Sequence, residues 1–314
     1  MPRCFAVLSL FVLRFLKARG QSLCPVPDDI SPCFCYEDEI FGFVVVDCSP
    51  AASGEEIFST FNDAVWPVLE LGQFRLTYNE AVQELPEGVF GDKSFSQVII
   101  LNSAIGVIHP TALFPSRSRL NFLMIAETAL RDFPVDDLSQ FAALGDLFLS
   151  GNALTRLPPI GSDALGSLII DENQITTLEA GSYLPNLQVL HLEMNPISEV
   201  QLGFFTDLGN LRDFRCNHCD LGPTLPTGSF EFYNSGVGRV FLQYCGISSL
   251  EPGAMTGFGI DTEIYLENND IRELTEAVFR PMVEIASQGN GLIHLHGELP
   301  AKATALHVPY SAFL

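Results

Sequence analysis

Cysteines, histidines and paired carboxylates are the side chains through which this sequence could do chemistry. The chain holds eight cysteines and six histidines among 314 residues. Four cysteines, Cys24, Cys33, Cys35 and Cys48, fall in one short block. Such a block can bind zinc as thiolates or close two disulfides. One residue separates Cys33 from Cys35, tighter than the roughly two to four residues within zinc pairs. Disulfides are therefore the expectation. His294 and His296 also stand one residue apart, with His307 nearby. With no helical HExxH and no paired cysteine beside them, they read as surface histidines rather than a metal site. Asp171 and Glu172 could be glycosidase carboxylates, but on a regular repeat they are more simply rim charges. There is no phosphate loop, no dinucleotide glycine fingerprint and no GxSxG elbow. The expectation is a non-enzyme with no cofactor and no metal.

The compartment follows from the first residues. Arg3 precedes the apolar run Cys4 to Leu13, and Arg14, Lys17 and Arg19 lead into the small residues Gly20 and Ser22. This reads as a secretory signal over 1–22, cleaved near Gly20 or Ser22, and too short to span a bilayer. Export agrees with clustered disulfides. A secreted, extracellular protein with no membrane span in the mature chain is expected. The formal net charge is −22, which argues against nucleic acid and anionic membranes and favours a basic or apolar partner.

What positions these side chains is a repeat. Residues 144–157 (LGDLFLSGNALTRL), 165–178 (LGSLIIDENQITTL) and 187–200 (LQVLHLEMNPISEV) fit LxxLxLxxNxLxxL. In that frame the Asn position is filled by Asn79, Ser103, Thr128, Asn152, Asn173, Asn195, Cys219, Cys245, Asn269 and Asn290. The spacing of 21 to 26 residues is that of leucine-rich repeats. The predicted fold is an α/β repeat solenoid. It would be a right-handed leucine-rich-repeat horseshoe with about ten parallel concave strands. Its N-terminal end would be closed by a disulfide cap.

The expected organisation is a cysteine cap over 23–50, a solenoid over 51–296 with rungs from about 71, and a tail over 297–314. The cap strand is read at 43–48 and a helix from Ser53 to Trp66. A recurrent aromatic (Phe90, Phe114, Phe141, Tyr183, Phe205, Phe230, Phe258, Phe279) would stack as a convex-side spine. Cys219 and Cys245, equivalent on neighbouring rungs, are read either as a disulfide or as two buried thiols. Cys216 is read as an inert free thiol.

Side chains between the inward leucines would project from the concave face. Down the stack they are Arg75, Ile99, Met124, Phe148, Ile169, His191, Arg215, Phe241, Tyr265 and Ala286. Glu127, Asp146, Asp171 and Glu193 are among the carboxylates flanking them. An apolar stripe edged by carboxylates suits docking of another extracellular protein.

The cysteine block resembles the N-terminal cap of extracellular leucine-rich-repeat proteins. That likeness implies the pairing Cys24–Cys35 and Cys33–Cys48. The stretches CPVPDDISPCFCYEDE, VVDCS, EEIFSTF and GVFGDKSF resemble a narrower family. This is the secreted arthropod leucine-rich-repeat family that includes the non-catalytic subunit of the shrimp (Oplophorus-type) luciferase. In that luciferase the light-emitting chemistry lies in a separate small subunit. The resemblance implies a secreted accessory protein whose partner is another extracellular protein, such as a small catalytic subunit. The alternative is a soluble innate-recognition or adhesion protein binding microbial or matrix ligands through the same face.

Overall fold

The computed structural model describes residues 22–40, 42–233 and 236–295. Residues 1–21 of the expected signal, the expected tail 297–314, and His296 and His307 lie outside the described residues. Contacts divide the chain into two compact units, Met1–Phe133 with Gln140–Leu144, and Pro134–Ser139 with Gly145–Leu314. Each is a stretch of leucine-rich-repeat solenoid.

The first unit opens with its cap. Strand β1 (Phe34–Glu37) runs antiparallel to β2 (Val44–Asp47). Disulfides join Cys24 to Cys35 and Cys33 to Cys48, the pairing that the resemblance implies. Helix α1 spans Gly54–Asn62, with the Ser53 side chain accepting from Glu56 N at its start. Glu55 and Glu56 in its first turn suit the positive end of the helix dipole. It ends at Asn62, short of the expected Trp66, whose own backbone Pro67 keeps out of the helical region. Trp66 folds back instead, and its indole N–H donates to Thr60 O at 3.0 Å.

Strands β3 (Glu70–Thr77), β4 (Ser94–Leu101) and β5 (Phe122–Ala126) continue in parallel from β2. Val46, Phe74, Val98 and Leu123 share one register and are buried. Below them Phe61, Phe74, Phe90 and Phe95 form one aromatic cluster, with ring centroids 4.9 to 6.1 Å apart. At those separations edge-on ring contacts add to the area buried.

The second unit stacks seven parallel strands: β6 (Asp146–Phe148), β7 (Ser167–Ile169), β8 (Val189–His191), β9 (Asp213–Arg215), β10 (Arg239–Phe241), β11 (Glu263–Tyr265) and β12 (Leu292–His294). Their middle residues, Leu147, Leu168, Leu190, Phe214, Val240, Ile264 and Ile293, form one buried row in register. The residues on either side of that row turn to the opposite face, as the period of two requires.

Helix α2 (Glu276–Ala286) corrects the last expected repeat. Ala286 lies on this helix and not at the centre of a strand. Phe279, Met282, Val283 and Ala286 are buried along it, and their spacing is the helical one. The final strand comes later, and His294 takes the position in register with Tyr265. Asn290 consequently precedes the strand instead of following it.

The asparagines tie each turn to the one before. Asn173 Nδ2 donates to Leu149 O, and its Oδ1 accepts from Leu154 N. Asn195 repeats this with Ile170 O and Ile175 N, and Asn269 with Leu242 O and Ile247 N. In the first unit Asn79 donates to Ser49 O and Ala51 O.

Cys216 and Cys219 form a disulfide, and Cys245 is the free thiol among the described cysteines. This corrects both thiol expectations: Cys216 is not free, and Cys219 does not pair with Cys245. Cys216 ends its strand pointing inward, and the turn through Asn217 and His218 brings Cys219 back within bridging distance, Cα to Cα 5.6 Å. Cys245 is buried and donates to Cys216 O at 3.0 Å, as an asparagine would.

Of the aromatics expected to form a spine, Phe90, Phe141, Phe205, Phe230, Phe258 and Phe279 are buried and Phe114 is half-buried, with ring contacts joining Phe114 to Phe141 and Phe205 to Phe230. Tyr183 is not in it and stands 53% exposed. Its backbone bridges to the preceding turn at Gly161, and the neighbouring Leu184 takes the inward position.

Candidate partner-binding face

On the second unit, Phe148, Ile169, His191, Arg215, Phe241, Tyr265 and His294 form a continuous column in register. All are half-buried, because strands this close press each side chain against its neighbours. The lower part is a stack. The Phe241 and Tyr265 rings lie 4.4 Å apart and nearly parallel, and Tyr265 and His294 lie 4.2 Å apart. The Arg215 guanidinium sits 4.9 Å above the Phe241 ring, in the range of a cation–π contact.

Asp213 organises the charge beside this column. Its side chain is 8% exposed, and it meets Arg239 Nη2 at 2.6 Å, Arg215 Nε at 2.7 Å and His191 Nε2 at 3.3 Å. Burial by itself would raise the Asp213 carboxyl. The hydrogen bonds from His191 and Arg215 and the charges of Arg215 and Arg239 outweigh it and hold the group well below the usual carboxylate range. Next to it, Tyr265 donates its hydroxyl to the Glu263 carboxylate. That bond, with burial and the Glu263 charge, pushes the phenol up to about 12.

Asp146 opens β6, opposite Ser167. Asp171 accepts from the Ser150 hydroxyl at 2.6 Å. Glu193 stands 4.0 Å from Arg215 Nη1, and burial raises its carboxyl above the ordinary value.

On the first unit the equivalent column is Asp47, Arg75, Ile99 and Met124. Arg75 Nη2 donates to Gln73, and Gln73 donates to Gln97, at 2.7 and 2.9 Å. Ile99 and Met124 lie side by side there and are half-buried. Glu127 is exposed beyond them at φ 52°. Thus Ile99 and Met124 belong to one unit and Phe148 and Ile169 to the other.

A second column was not singled out from the sequence. The residue just before the Asn position has a left-handed backbone in nine of the turns. Tyr78, Asn102 and Glu127 show this in the first unit, and Glu172, Met194, His218, Tyr244 and Asn268 in the second, with φ from 48° to 59°. Among these nine left-handed positions Gly151 alone is a glycine. In the second unit Met194, His218 and Tyr244 form an exposed ridge, and the His218 and Tyr244 rings stack at 4.5 Å. A cleft of about 580 Å³ runs along it, lined also by Asp171, Glu172, Glu193, Asn217, Gln243 and Glu267. Leucine-rich-repeat patterns leave this residue unspecified, so only the positive φ marks it out.

Among the described residues no group of three histidine, cysteine or acidic side chains could hold a metal ion. No helix among them is long and apolar enough to cross a membrane.

No protein-family model matches the chain. It is similar to a protein of Oplophorus gracilirostris named Oplophorus-luciferin 2-monooxygenase non-catalytic subunit, with 28% identity over 267 residues. That match covers 83% of this chain and 73% of the relative, and agrees with the resemblance read from the cap. It is also similar to human podocan-like protein 1, 29% identical over 174 residues, which are 49% of this chain and 32% of that protein. Among solved structures, one titled as a TLR13–ssRNA13 complex aligns at 14% identity and a TM-score of 0.43, covering 81% of this chain and 47% of that one.

Proposed function

We propose that this chain is a secreted, non-catalytic accessory protein that docks a partner protein on the concave face of its repeats. The observation that carries the reading is the column from Phe148 to His294. It is a preordered mixture of apolar, aromatic and charge-paired side chains in one register. Preordered aromatic and arginine side chains are what protein interfaces concentrate. The relative's printed name, a non-catalytic subunit, supports the same reading. Two disulfides in the cap suit an extracellular compartment.

Affinity capture from the native secreted fluid, followed by mass spectrometry of intact complexes, tests this. One stoichiometric protein partner is expected. Its capture should be lost when Phe148 and Ile169, or separately Ile99 and Met124, are replaced by aspartate in chains that still fold. Recovery of glycans instead of a protein would favour the recognition or adhesion reading. Turnover of a substrate, a luciferin included, by the purified chain alone would overturn the proposal.

A further inference from the structure

We propose that the cleft beside the Met194–His218–Tyr244 ridge receives an arginine side chain of the partner protein. The inference rests on the docking reading and names the chemistry that one part of the face would recognise. Three observations converge on a flat, cationic donor.

The first is charge. Asp171, Glu172, Glu193 and Glu267 line the cleft, and His218 is the single lining residue that can carry a positive charge. Arg215 reaches Glu193 from outside at 4.0 Å but is committed to Asp213 at 2.7 Å. Burial raises the Glu193 carboxyl and the Asp171 charge adds to it, against the lowering effect of its backbone hydrogen bond and of His191 and Arg215.

The second is unmet hydrogen bonding. Gln243 Oε1 and Glu267 Oε2 are buried acceptors with no donor, and both residues line the cleft. A buried acceptor without a donor is unfavourable, so a ligand that brings donors gains from both. A guanidinium carries five N–H donors in one plane; an ammonium has no plane to offer.

The third is the platform. His218 and Tyr244 present parallel rings 4.5 Å apart, and Tyr244 is 52% exposed. The protein already seats a guanidinium this way: Arg215 lies over Phe241 while bonded to Asp213. Both ridge residues hold left-handed backbone, φ 57° and 59°, which disfavours large side chains.

The test uses the purified full chain and N-acetyl-arginine amide, with the isosteric, uncharged N-acetyl-citrulline amide and N-acetyl-lysine amide for comparison. Binding is followed through the His218 and Tyr244 ring resonances. The arginine probe should bind about tenfold more tightly than either other probe. Tyr244→Gly and Glu267→Gln should each weaken it about tenfold. Glycine adopts φ 59° freely, so Tyr244→Gly should leave Tm unchanged or higher, and lost binding would not reflect lost structure. Equal binding of citrulline or lysine, or undiminished binding by Tyr244→Gly, would overturn the inference. If partner capture survives Tyr244→Gly but fails in the Phe148 and Ile169 variants, docking stands and the arginine assignment falls. If the arginine probe binds as expected and no partner is ever captured, the assignment stands and docking falls.

Discussion

The Phe241 ring faces the Tyr265 ring at 4.4 Å with 7° between their planes. Arg215 covers the other face of Phe241. Phe241 therefore sits between a cation and a ring, and an aliphatic side chain of similar bulk satisfies neither. Phe241→Leu should keep the fold and lower unfolding stability by about 1 kcal/mol, measured by urea denaturation. A change near zero would show that the stack contributes nothing beyond buried area.

Asp213 joins three cationic or cation-capable side chains, Arg215 from its own strand and His191 and Arg239 from the strands on either side. Asp213→Ala would leave Arg215 and Arg239 repelling one another on a half-buried face. A loss of about 2–3 kcal/mol is expected, the lower end for buried pairs because Arg239 is 53% exposed. The pH dependence has a definite sign. The folded carboxyl titrates below its unfolded value, so its stabilising contribution is complete above pH about 4. It is lost as pH falls from there toward the folded value. Acid unfolding monitored by circular dichroism should show this component in the native chain and lack it in Asp213→Asn.

Cys245 is buried, and burial pushes its thiol up to about 12. A thiol that is neither ionised nor reachable does not react. Iodoacetamide at pH 8 should leave Cys245 unmodified in the folded chain. In denaturant without reductant it should label Cys245 and none of Cys24, Cys33, Cys35, Cys48, Cys216 and Cys219, as peptide mapping would read. Label on Cys216 or Cys219 would contradict their disulfide.

Gly151 is the one turn at the left-handed position that avoids the Cβ clash, with φ 62°. Gly151→Ala should destabilise the chain by about 1 kcal/mol. Met194→Gly, at φ 55°, should not destabilise. Thermal unfolding of the two variants gives opposite or unequal shifts if the backbone geometry is the cause.

The solenoid was legible because two signals coincide in each turn, a period of two in the strand and an asparagine at its end. Asn173 and Asn195 bond the backbone that this pattern implies. Legibility failed where one spacing serves two structures. Ala286 looks like the centre of a strand in that frame, yet with Phe279, Met282 and Val283 it makes a buried helical stripe. It failed again for Cys216, because the pattern specifies inward direction but not which inward sulfur comes within reach of another. The arrangement from Phe148 to Tyr265 could be written down from register alone. The ridge of Met194, His218 and Tyr244 could not, since it depends on a backbone angle that those residue types do not announce.

The asparagine bonds also have a direction. Asn173, Asn195 and Asn269 each reach toward the lower-numbered neighbour, never the higher. A ribosome releases the chain in that same order, so each asparagine emerges when the carbonyl it needs has already been delivered. Within each unit, every new turn is then laid against the turn already delivered. Shortening the protein from its C-terminal side should leave the earlier asparagines satisfied, whereas shortening it from the front removes their acceptors.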